Sequence, residues 1–110
     1  MPQSLSHKQT PETLVLLSYD VSAINRSAAS HVAHLIFGRK DAGRDSPTPY
    51  IHRPEVVWIG QSVFVMPRSI ATELAAKLRG LGAFVAMAQV SMAFREIEAF
   101  RRRASQRRVP

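Results

Sequence analysis

Cysteine is missing from all 110 residues. That excludes disulfides, thiolate metal sites and a cysteine nucleophile, and it suits a reducing compartment. Acid is scarce as well: eight Asp and Glu stand against fifteen Lys and Arg, for a formal net charge of +7. The carboxylates are too few and too scattered for the paired acids of a glycosidase. No Gly-x-Gly-x-x-Gly, P-loop or Gly-x-Ser-x-Gly occurs, so nucleotide cofactors and serine hydrolysis have no motif to rest on. There is no internal repeat and no low-complexity segment. No apolar run is long enough to span a bilayer. The opening residues, Met1 to Lys8, lack the apolar core of a secretory signal. The expectation is one cytoplasmic domain with no membrane contact.

What is present is unevenly placed. Residues 101–110 hold Arg101, Arg102, Arg103, Arg107 and Arg108 and no acid. Taking those five from fifteen leaves ten basic residues against eight acidic, or +2. The body is therefore nearly neutral, and the basicity reads as a C-terminal tail. Arginines in such a tail suit phosphate, through bidentate pairing and counterion release; a solvated, frayed end is the plainer alternative.

Along the chain, residues 1–12 read as a flexible lead-in. Thr13 to Val21 is almost continuously apolar, as in a strand central to a sheet, and it carries Tyr19-Asp20 near its end. Ser22 is the expected cap of a helix carrying Ile24, Ala28, Val32, Leu35 and Ile36, with Gly38 as its stop. Residues 38–55, with two glycines, three prolines and the cations Arg39, Lys40, Arg44 and Arg53, read as a long loop. Val56 to Pro67 reads as a hairpin turning at Gly60-Gln61. Ser69 is the expected cap of the next helix, striped by Ile70, Leu74, Leu78 and Leu81. Ala83 to Val90 alternates as a fourth strand, and Phe94, Ile97 and Phe100 mark a short amphipathic helix. Right-handed crossovers turn this order into an α+β fold, a ferredoxin-like βαββαβ plait over 13–92 with a C-terminal helix and basic tail over 93–110. Its helices lie on one sheet face, and the other face needs a cover, either a second copy or the C-terminal helix.

Tyr19-Asp20-Val21 at the end of the first strand and Gln61-Ser62-Val63-Phe64 in the hairpin resemble the small CRISPR-associated adaptation proteins. The likeness covers about residues 13–92. Related plaits occur in VapD-type ribonuclease toxins and in the C-terminal part of PaaX-type repressors. The loop at 38–55 is longer than the family's usual connection. The resemblance implies a homodimer that binds DNA or RNA beside a CRISPR integrase, with the two copies of Asp20 sharing a magnesium ion for phosphodiester cleavage. Asp20 is then both the catalytic and the metal residue.

Each chemical role has a structural counterpart. Asp20 also suits a helix cap or strand end. Ser62 suits a phosphate contact or an ordinary turn. Trp58 and Phe64 suit core packing as well as base stacking. His31 and His34 are three apart on one helix, without a third ligand at a recognisable spacing. His52, in the loop, suits a general acid or base. Three functions follow. The first is a dimeric scaffold for duplex DNA, with Arg39, Lys40, Arg44, Arg53 and the five tail arginines on phosphates. The second is a metal-dependent endoribonuclease of toxin type. The third is a non-catalytic dimeric interaction module.

Overall fold

A computed structural model describes residues 13–39, 43 and 46–107 of the chain. The lead-in 1–12 and the candidates Lys40, Arg44 and Arg108 lie outside the described residues, as does the side chain of Arg107.

The chain is α+β. Its elements are β1 (Leu14–Asp20), α1 (Arg26–Phe37), a 3-10 turn (Tyr50–His52), β2 (Val57–Gly60), β3 (Val63–Pro67), α2 (Arg68–Gly80), β4 (Phe84–Val90) and α3 (Phe94–Arg107). The four strands form one antiparallel sheet in the order β2-β3-β1-β4. Each β-α-β crossover therefore skips one strand: β3 lies between β1 and β2, and β1 lies between β3 and β4. Leu17 stands opposite Phe64 of β3 and Met87 of β4, which fixes the register through the middle of the sheet.

Alternation along β1 decides the layers. Val15, Leu17 and Tyr19 are buried, while Leu14, Leu16 and Ser18 between them are only half-buried. The buried set packs with Val32 and Ile36 of α1, with Ala71, Leu74, Ala75 and Leu78 of α2, and with Phe64 and Met66 of β3. Both helices thus cover one face, and this is the main core. The continuous apolar character of β1 reflects its central position rather than equal cover on both faces.

The other face is covered only in part. α3 packs against β2, and its half-buried residues Ile97, Phe100, Arg101 and Ala104 recur at helical spacing. Val57 and Val65, paired on that face, are 3% and 2% exposed. Over β1 and β4 the same face stays open, with Leu14 and Leu16 half-buried, Ala86 and Ala88 exposed, and Phe84 67% exposed.

Four local expectations are corrected. Asn25, not Ser22, caps α1: its side chain accepts the Ala28 N–H at 2.8 Å. The Ser22 N–H is instead donated to Asp20 Oδ1 at 2.8 Å, which closes a tight turn straight after β1. Ser69 does not cap α2, because the helix begins at Arg68 behind Pro67, with no side-chain cap. The hairpin turns at Gln61-Ser62, one residue later than expected. Arg101, Arg102, Arg103 and Arg107 belong to α3 rather than to a tail. Glu96 starts that helix by accepting the Ala93 N–H at 2.7 Å, half of a capping box.

Candidate nucleic-acid interface

The two stretches that carry the family resemblance lie side by side. The Tyr19 N–H donates to the Ser62 carbonyl at 3.1 Å, and the Tyr19 and Phe64 rings stack with centroids 6.3 Å apart. Burial raises the Tyr19 phenol above its ordinary pKa, and a hydrogen bond with the Ser62 side chain partly offsets this. Ser62 is thus engaged with Tyr19. Phe64 is core, 1% exposed. Trp58 is half-buried, with the Phe37 ring edge-on at 5.5 Å. These aromatics hold the sheet to α1 and are not presented as stacking platforms.

Asp20 is exposed at the end of β1. The backbone N–H of Ser22, with help from its side chain, holds the carboxyl below its ordinary pKa, so it stays ionised. By alternation it belongs to the open sheet face, in series with Leu14, Leu16 and Ser18. No group of three or more His, Asp or Glu side chains suited to a metal occurs among the described residues. Within one chain Asp20 supplies a single carboxylate, with one oxygen already bonded to Ser22. Magnesium, which favours one or two carboxylates plus water, would need the second carboxylate from another copy.

The described cations singled out in the sequence lie in two regions. Arg53 is turned inward: its Nη2 lies 3.0 Å from Glu73 Oε2, and its guanidinium covers the Tyr50 ring at 4.2 Å. Tyr50 is 1% exposed and donates its O–H to Glu73. Lys77 reaches the same carboxylate at 3.6 Å. Tyr50 and then Arg53 hold the Glu73 carboxyl below its ordinary value. Burial and Glu73 push the Tyr50 phenol up. The hydrogen bond with Tyr50 raises Lys77. This cluster was invisible in the sequence, apart from the apolar Tyr50-Ile51 pair inside a polar loop. Arg39 is exposed just past the end of α1.

The second group lies on α3. Arg101 is partly spent on structure: its Nη2 donates to the Pro54 carbonyl at 2.8 Å and its Nε lies 3.9 Å from Glu98. Arg102 and Arg103 are exposed. Arg95, outside the basic run at 101–110, is exposed seven residues before Arg102 and so lies on the same helix face. The bond from Arg101 to Pro54 joins α3 to the segment that carries Arg53.

Asp20 is not part of that region. β2 runs parallel to β1, so Pro54 and the start of β2 lie at the Leu14 end of the sheet, whereas Asp20 pairs with Phe84 at the opposite end. Six residues of strand separate the two ends, about 20 Å. His31 and His34 are exposed on α1, and His52 is exposed in the 3-10 turn. No helix among the described residues is long and apolar enough to cross a membrane. Compared with family models, curated proteins and solved structures, the chain has no match.

Proposed function

We propose that the chain is a ferredoxin-like plait that dimerises through its open sheet face and scaffolds a nucleic-acid duplex on the arginines of α3. The observation that carries this is the division of the second sheet face. Half lies under α3, whose outward side carries Arg95, Arg102 and Arg103, and half is open and mostly apolar, with Asp20 the charged residue at its end among the described residues. One part suits a second copy and the other a polyanion. Phosphate contacts of this kind position a duplex without reading its sequence. The resemblance adds a CRISPR integrase as the partner of the dimer.

A scaffold fits better than a nuclease because Asp20 lies at the opposite end of the sheet from Pro54, where Arg101 anchors α3. A metal-dependent endoribonuclease needs its phosphate-binding cations around the reacting centre. A dimer that joins two Asp20 carboxylates around magnesium remains the enzymatic reading. A dimer whose α3 arginines meet an acidic protein is the interaction-module reading.

Light scattering joined to gel filtration, followed by binding to a fluorescent duplex at low salt, tests the proposal. A dimer that binds duplex DNA and RNA alike, with no magnesium-dependent cleavage, is the expected result. Cleavage lost in Asp20→Ala while binding persists would establish the endoribonuclease. A dimer with no binding at low salt would leave the interaction module.

A further inference from the structure

We propose that the outer edge of β4 takes up an extended segment of a partner protein as a fifth strand, and that this segment carries acidic side chains four residues apart with an apolar one midway. β4 closes one side of the sheet among the described residues. Two bonds along β1 fix which backbone groups point outward. The Thr13 carbonyl accepts from the Arg68 N–H and the Tyr19 N–H donates to Ser62, so the odd-numbered residues from Thr13 to Tyr19 bond toward β3 and the even-numbered ones toward β4. Their partners on β4 are Phe84, Ala86, Ala88 and Val90, which leaves the N–H and C=O groups of Val85, Met87 and Gln89 facing away from the sheet. Nothing within the strand blunts that edge. Phe84 to Val90 holds no proline and no charge, and it pairs with β1 at seven successive positions without a bulge.

The flanks of the edge select the partner. Val85, Met87 and Gln89 stand opposite the buried Tyr19, Leu17 and Val15, so their side chains lie on the helical side, beside α2. Near each of its ends α2 sends an exposed arginine to this strand: Arg68 Nη2 donates to Gln89 Oε1 at 3.5 Å, and Arg79 Nη2 donates to the Val85 carbonyl at 3.4 Å. A neutral oxygen positions a guanidinium without neutralising it. Beside Met87 a pocket of about 250 Å³ opens, lined by Val15, Arg68, Ala71, Thr72, Met87 and Gln89. It has room for one apolar side chain. Val85 and Gln89 are about 13 Å apart along the strand. Residues i and i+4 of an added strand span the same distance on the same face, and i+2 then falls opposite Met87, at the pocket.

A second copy of the chain suits this edge poorly. Antiparallel pairing of two β4 edges about Met87 would set Val85 against the other copy's Gln89, and so Arg79 against the other copy's Arg68. Like charge at both ends opposes that pairing and favours an acidic strand. The backbone ladder supplies the affinity of strand addition, and the flanking side chains supply the choice. The edge is distinct from the open sheet face, so this proposal does not depend on the dimer.

Nitrogen-15 shifts and amide exchange of the full chain at low salt, with synthetic end-capped peptides, test it. Thr-Glu-Thr-Leu-Thr-Glu-Thr should bind saturably and slow exchange at the Met87 and Gln89 amides, while those of Ala86 and Ala88, already bonded to β1, stay unchanged. Thr-Lys-Thr-Leu-Thr-Lys-Thr should bind at least about tenfold more weakly. Thr-Glu-Thr-Leu-Glu-Thr-Thr, of the same composition with one acid turned to the other face, should bind about threefold more weakly. The double variant Arg68→Glu, Arg79→Glu should reverse the preference between the glutamate and lysine peptides. Met87→Pro, which removes an outward N–H, should abolish binding; if it fails to fold, the charge reversal decides. Equal binding of the two glutamate peptides, shifts centred on Arg95 and Arg102, or no saturable shift would overturn the proposal. So would Met87 and Gln89 amides already protected in the free chain, or protected by raising its concentration alone.

Discussion

Glu73 shows how much one side chain on a helix surface can hold. Its carboxylate gathers the Tyr50 hydroxyl, the Arg53 guanidinium and the Lys77 ammonium. Glu73→Ala takes the acceptor from the part-buried Tyr50 O–H, and the expected cost is about 1 kcal/mol in urea unfolding. The folded pKa of Glu73 lies below the unfolded one, so its contribution is complete above the unfolded value and lost as pH falls through the folded value. The stability gap between wild type and Glu73→Gln should therefore be widest near about pH 6 and close toward about pH 3. Little of this was legible in the sequence. Glu73 reads there as an ordinary acid near a helix start, and Tyr50 and Arg53 come from a loop twenty or more residues upstream, beyond any local pattern. Asp20 was legible as the end of β1, because an acid there closes an almost continuous apolar run. Its bond to Ser22 was not, since Ser22 and Asn25 are both good caps and only the turn that Asp20 closes excludes the first.

At the scale of elements, strands and helices followed from periodicity, and their ends depended on single residues. Asn25→Ala removes the cap of α1 and should cost about 1 kcal/mol. Gly38 is more constrained. It adopts φ of 90°, and a Cβ there would lie 2.7 Å from Pro49 Cγ. Gly38→Ala should cost about 2 kcal/mol by thermal or urea unfolding, against a near-neutral Gly43→Ala, where an added Cβ meets nothing among the described residues. Composition alone makes the arginine run look like a tail, whereas it continues α3 to Arg107. Glu96 and Glu98 ahead of it supply the capping bond and the ion pair to Arg101 that extend the helix. The loop at 38–55 was opaque for a different reason. Its order comes from Tyr50 entering the core, a tertiary contact that glycine and proline counts conceal.

For the whole molecule, the open face and the arginine face make separable predictions. Leu16→Arg or Ala88→Arg places charge on the uncovered sheet and should give a folded monomer by light scattering. Replacing Arg95 and Arg102 by Gln should leave the dimer intact and lower the slope of log affinity against log salt by about 2. The order of the strands carries one more consequence. β1 is made early, yet both of its neighbours come from the second half of the chain, β3 from residue 63 onward and β4 from residue 84. During synthesis its two hydrogen-bonding edges stay unmatched until those strands have left the ribosome. Its apolar residues are exposed to other nascent chains throughout that interval. Folding speed is then set by closing long loops, and a chain broken off before residue 84 is a substrate for chaperones and proteases rather than a smaller version of the protein.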